Sequence, residues 1–162
     1  MAKKKILYLE DGASDMYFVV QVLKKDPAIC SNYDIIACSR LDIAKDEFNK
    51  NKGHIALIVT DLNMSDDFIN KELKQETYGC MLTGWVWLEH YVLADNPNLP
   101  IIIYSAFIDV LKKEKSQQIR DRNICFLGKG IDIDEDAYEC DDENENHGFE
   151  ALLCKVKKIL NI

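Results

Sequence analysis

Residues 55–60 read Ile-Ala-Leu-Ile-Val-Thr, apolar at every position up to the threonine, and the run stops at Asp61. A strand with one wet face alternates; a continuous apolar run of this length belongs to a strand covered on both faces. That requirement points to a parallel sheet between two layers of helices.

The rest of the chain has the alternation such a sheet needs. Residues 5–9 read as a first buried strand ending at Glu10-Asp11, residues 33–38 as a second, 101–104 as a fourth ending at Ser105, and 124–127 as a fifth before Gly128-Lys129-Gly130. Helical patterns lie between them. The first is expected from a cap at Ser14 to about Lys25, with Val19, Val20 and Leu23 inward, and Pro27 and Asn32 mark the connection that follows. Others are expected at 40–51, 82–94, 108–121 and 148–160, the last with Phe149, Leu152, Leu153, Val156, Ile159 and Leu160 on an i, i+3, i+4 pattern. The expected fold class is α/β: a doubly wound five-stranded parallel sheet, flavodoxin-like order 2-1-3-4-5, with helices on both faces. With 162 residues, the chain is expected to form one domain over 1–162.

Charge narrows the function classes. The formal net charge is -8, and nine of the 28 acidic residues fall in 132–147, where no Lys or Arg occurs. The other 19 nearly balance the 20 Lys and Arg, so no basic face suited to direct nucleic-acid contact is expected. The six cysteines have no CxxC spacing, which disfavours a zinc site or a disulfide framework. No apolar run reaches the length of a membrane span, and the basic start runs into Glu10-Asp11, so no membrane insertion and a cytoplasmic location are expected.

In this fold ligands bind at the carboxyl ends of the strands. Glu10 and Asp11 end the first strand and Asp61 ends the third, its neighbour in the expected order. Such clustered carboxylates raise one another's pKa unless a cation joins them, and a hard divalent ion such as Mg²⁺ suits oxygen donors. Asp61 could then act as a carboxylate nucleophile toward phosphorus, with Lys129 pairing with it and with phosphoryl oxygens and Ser105 donating its hydroxyl. Each residue also has a plainer reading: acidic residues after strands cap helices or face water, and Ser105 could cap the helix after it. The joint placement at four strand ends carries the reading.

Those strand ends resemble a known family. Ile6-Leu7-Tyr8-Leu9-Glu10-Asp11, Leu57-Ile58-Val59-Thr60-Asp61-Leu62-Asn63-Met64, Ile101-Ile102-Ile103-Tyr104-Ser105-Ala106 and Phe126-Leu127-Gly128-Lys129 resemble the receiver domain of response regulators. The chemotaxis members are themselves standing examples of the expected strand order. The resemblance implies Asp61 as phosphoacceptor, Asp11 as a direct Mg²⁺ ligand with Glu10 and the Asn63 carbonyl assisting, and Ser105 and Lys129 binding the phosphoryl group. It implies Phe126, with Ser105, as the switch that reports phosphorylation. Implied partners are a sensor histidine kinase or histidine phosphotransfer protein and a downstream protein target. Such a domain at most catalyses its own phosphorylation and slow dephosphorylation. Departures are Ser65 and Gly130, where the family commonly has proline, an insertion at about 66–81 before Gly84, and an acidic loop at 131–147. They keep open a receiver-like binding module that is not phosphorylated. A Mg²⁺-dependent phosphohydrolase is disfavoured because Asn63 stands where a second acid would serve.

Overall fold

The computed structural model describes residues 2–129 and 148–162. The expected acidic loop 131–147 and Gly130 lie outside them. Five strands, β1 (Lys4–Leu9), β2 (Tyr33–Cys38), β3 (Ile55–Thr60), β4 (Ile101–Ser105) and β5 (Ile124–Gly128), form one sheet in the order β2-β1-β3-β4-β5, every pair parallel. The helices are α1 (Ala13–Lys25), α2 (Pro27–Asn32), α3 (Leu41–Lys50), α4 (Thr83–Tyr91), α5 (Ile108–Glu114), α6 (Ser116–Ile119) and α7 (Phe149–Leu160).

The period of two along each strand splits the core. Leu7, Leu9, Ile58, Ile101 and Ile103 face one side with α3, α4 and α5. Ile6, Tyr8, Leu57, Val59, Ile102 and Tyr104 face the other, with α1, α2 and α7. Residues that alternate between two buried layers give the continuous apolar runs seen in the sequence. No helix among the described residues is long and apolar enough to cross a membrane, and no disulfide joins the described cysteines.

Several expected boundaries move for local reasons. Ser14 does not cap α1: the Met16 N–H already bonds the Gly12 carbonyl at 2.9 Å, so the helix starts at Ala13 and Ser14 lies within it. The connection at Pro27–Asn32 is a helix, because Asp26 Oδ1 accepts the N–H groups of Ala28 (2.9 Å) and Ile29 (3.0 Å) and Pro27 suits the first turn. The expected helix at 82–94 ends at Tyr91; Val92 and Leu93 both donate to the Leu88 carbonyl, and the spiral closes there. The expected helix at 108–121 breaks at Lys115 (φ -125°, ψ 26°), whose buried ammonium reaches Glu76 at 3.0 Å.

Glu76 belongs to the 66–81 segment, which is packed structure. Ile69 is buried, a 3₁₀ helix runs Lys71–Thr77, and Tyr78, Gly79 and Cys80 follow with φ of 51°, 66° and 74°. Phe68 lies under the Arg40 guanidinium at 4.7 Å, and Tyr78 hydrogen-bonds Glu114. Residues Thr83–Leu88 of α4 are buried all round, because the sheet covers one side and this segment packs against the helix as well.

Candidate functional site

The parallel sheet brings the ends of β1, β3, β4 and β5 to one rim. Asp61 follows β3 there, its N–H bonded to the Leu9 carbonyl at 3.0 Å, so the β1–β3 ladder itself fixes its backbone. Its side chain is buried and its two oxygens have different partners. Oδ1 accepts the N–H groups of Leu62 (2.6 Å) and Asn63 (3.1 Å); Oδ2 accepts Lys129 Nζ at 2.7 Å. Backbone donors aimed at one oxygen hold the carboxylate in one orientation and leave the other toward the crevice.

Lys129 reaches across the end of β4, and its backbone N–H bonds the Ser105 carbonyl at 3.2 Å. Its ammonium meets Asp61, Glu10 and, at 3.1 Å, Asp15. Glu10 Oε1 accepts the Gly12 N–H at 2.9 Å and Oε2 faces Lys129 and the Tyr8 hydroxyl. The Tyr104 ring lies 5.4 Å below the ammonium. Burial works against the Lys129 charge, but hydrogen bonds to Asp61 and Glu10 outweigh it and hold the ammonium above the ordinary lysine value. Glu10 goes the other way from most paired acids. Burial drives it above the ordinary carboxylate range, and the hydrogen bonds from Lys129 and the Gly12 N–H offset that only in part.

The remaining expected residues are less closely joined. Asp11 is exposed, and its Oδ2 accepts the Ser65 N–H at 3.1 Å, which ties the loop after β1 to the loop after β3. Asn63 is exposed and contributes its N–H to Asp61. Ser105 is buried and its Oγ accepts the Phe107 N–H at 3.2 Å, a capping turn ahead of α5. Phe126 is half-buried on the α5 side, with Lys112 Nζ at 5.3 Å from its ring.

A close backbone approach completes the site. The Gly84 N–H donates to the Leu62 carbonyl at 3.0 Å, and a Cβ on Gly84 would lie 2.0 Å from the Asp61 carbonyl oxygen. The start of α4 thus rests directly on the loop that carries Asp61. Sequence reasoning passed over Asp15, Tyr8 and Tyr104. Asp15 was legible only as an acidic residue in the first turn of a helix, a place where such residues are ordinary.

The donor set fits a hard divalent cation: Glu10, Asp11 and Asp61 offer carboxylate oxygens, and the one ammonium leaves excess negative charge. These oxygens do not all lie within 4.8 Å of one another: Lys129 joins Glu10 and Asp61, while Asp11 accepts the Ser65 N–H. Among the described residues the trio of possible metal donors within 4.8 Å of one another is Glu76, Glu89 and His90, where Glu76 is already paired with Lys115.

No protein-family model matches the sequence, and no curated protein matches it. Solved structures do. The Vibrio cholerae chemotaxis protein CheY4 matches with a TM-score of 0.61 and 16% identity, over 98% of this chain and 99% of that one. A response regulator receiver domain protein from Clostridium thermocellum gives 0.61 and 16%, over 98% and 94%. A chain of the CheX-CheY-BeF3-Mg complex of Borrelia burgdorferi gives 0.58 and 16%, over 97% and 89%. At such identities the likeness concerns the fold: the chain folds as the receiver domains of response regulators do.

Proposed function

We propose that the whole chain is one receiver-type signalling domain that accepts a phosphoryl group on Asp61. The observation that supports this most is the pairing of a buried, singly oriented Asp61 with the Lys129 ammonium, 2.7 Å away at the carboxyl rim of the sheet. A carboxylate needed only for folding would gain little from being kept there beside Glu10, Asp11 and Asp15. In the proposed step an Asp61 oxygen attacks phosphorus, the phosphorus–nitrogen bond of a phosphohistidine breaks, and the imidazole leaves with the electron pair. The donor is a sensor histidine kinase or a histidine phosphotransfer protein. Lys129 neutralises phosphoryl oxygens, and the Ser105 hydroxyl, whose oxygen accepts the Phe107 N–H, donates its own hydrogen to a phosphoryl oxygen.

Glu10, Asp11, Asp61 and the Asn63 carbonyl would hold Mg²⁺, which supplies charge neutralisation for the transferred group. New bonds at Ser105 and Lys129 then bias the β4–α5 connection and Phe126, and a downstream protein reads that change. Residues 66–81 and the acidic stretch 131–147 are additions to this domain, and a cytoplasmic setting suits it.

Incubation with a small phosphodonor and Mg²⁺, followed by intact mass measurement, tests the reading. One phosphate adduct, absent in Asp61→Asn and dependent on Mg²⁺, is expected. A folded protein that takes no adduct would leave a binding module that is not phosphorylated.

A further inference from the structure

An ammonium has three hydrogens, and Lys129 Nζ has three carboxylates around it: Glu10, Asp61 and Asp15. The three are not equivalent. The Glu10 and Asp61 side chains are 3% and 10% exposed and come from the ends of the central strands. The Asp15 side chain is 46% exposed and comes from the first turn of α1. Releasing Lys129 would leave Glu10 or Asp61 as a buried charge without its cation, which is expensive. Asp15 can release it cheaply, because water takes over the oxygen.

We propose that Asp15 is a positioning residue for Lys129, and that it is the acceptor whose place a phosphoryl oxygen on Asp61 takes. The inference rests on the phosphoacceptor reading and adds a regulation to it. Lys129 donates to Glu10 and Asp61, and Asp15, paired with the ammonium at 3.1 Å, holds the further place beside it that an incoming oxyanion needs. Asp15 competes for the ammonium, and its charge opposes the phosphoryl group. The residue therefore weakens retention of the phosphoryl group and sets how readily the site empties. The first turn of α1 favours an acid at this half-exposed position only weakly, and the substitution Asp15→Asn removes the charge while keeping the shape.

The test titrates the full-length protein with beryllofluoride at saturating Mg²⁺, read by calorimetry, for wild type, Asp15→Asn and Asp15→Glu. Asp15→Asn is expected to bind about two- to fivefold more tightly, the range of a half-exposed ion pair. Asp15→Glu should return toward wild type. A Mg²⁺ titration without beryllofluoride shows whether the gain lies in the anion. It should be unchanged or weaker in Asp15→Asn, since one negative charge is gone. Exchange of the Lys129 ammonium hydrogens, followed by NMR without any ligand, should speed up in the same variant.

A purely structural role would shift the melting temperature without tightening the anion. Wild type that binds beryllofluoride as tightly as Asp15→Asn overturns the role of Asp15 and leaves the phosphoacceptor reading intact. Failure of both proteins to bind overturns that reading and the proposal with it.

Discussion

Replacing Gly84 with alanine sets two effects of opposite sign against each other. Alanine is the better helix former, by about 0.5–1 kcal/mol, so helix propensity alone predicts a more stable protein. The site says otherwise. The added Cβ would stand 2.0 Å from the Asp61 carbonyl oxygen and 3.1 Å from Thr60 Oγ1. Carbon and carbonyl oxygen come no closer than about 3.3 Å in ordinary contacts, so α4 and the Asp61 loop must part by about 1.3 Å. The nearest atom in the way, the Asp61 carbonyl oxygen, is backbone and cannot rotate aside. Overpacking of this kind costs about 1–3 kcal/mol, and loss of the bond from Gly84 N–H to the Leu62 carbonyl adds about 1 kcal/mol. Steric cost wins, and the net destabilisation is about 2 kcal/mol. In a chain of this size the thermal midpoint falls by about 4–8 °C. The same displacement disturbs the Leu62 and Asn63 N–H groups that orient Asp61. The phosphate adduct formed with a small donor should therefore appear more slowly than in wild type at a temperature where both are folded. Scanning calorimetry and timed mass measurement check the two halves. A Gly84→Ala protein that melts at or above the wild-type temperature would refute the steric argument.

Three further outcomes follow from other parts of the molecule. Glu76→Gln removes the charge partner of the buried Lys115 ammonium and should cost about 1–2 kcal/mol, below the 3–5 kcal/mol of a fully enclosed pair, as measured by urea unfolding. The Lys115 hydrogen bond lowers the Glu76 carboxyl pKa on folding, so its contribution is complete above the ordinary carboxylate range and fades as the pH falls through the lower folded value. The variant should lack that part of the acid limb in a plot of stability against pH. Burial pushes the Cys38 thiol up to about 11, so a thiol reagent at mildly alkaline pH should label exposed Cys30 promptly and Cys38 only on unfolding, with peptide mass mapping as the readout. Asp26→Ala loses both N-terminal bonds of α2 and the 3.1 Å pair with Lys157 of α7, and should cost about 1–2 kcal/mol in calorimetry.

The sheet was legible because its inner strands β1, β3 and β4 are short apolar runs with a polar residue at the carboxyl end, the mark of burial on two faces, while the edge strands β2 and β5 are less buried. The ends of the strands also placed Asp61 and Lys129, which the sheet order then brought together. What stayed hidden depends on pairs far apart in the chain. The break at Lys115 has no mark in the local pattern; the partner of its buried ammonium, Glu76, lies 39 residues earlier. Asp15 reads as an ordinary first-turn acid until β5 delivers Lys129. The packing of 66–81 rests on a few apolar residues, Ile69 and Leu73 among them, in an irregular setting that has no period to detect. The helix at Pro27 is a different matter, since an Asp-Pro start is a readable signal and the expectation of a bare connection passed over it.

The long reach of Lys129 has a consequence for how the protein is made. A ribosome releases β1 and β3 well before β5, and their acidic ends lie side by side as soon as those strands pair. The ammonium that joins Glu10 and Asp61 is 119 and 68 residues away from them in the chain. Until residue 129 has left the exit tunnel, the nascent sheet must hold those two carboxylates together without it. The rim where Lys129 meets Glu10 and Asp61 is thus also the last part of the sheet to be completed during synthesis.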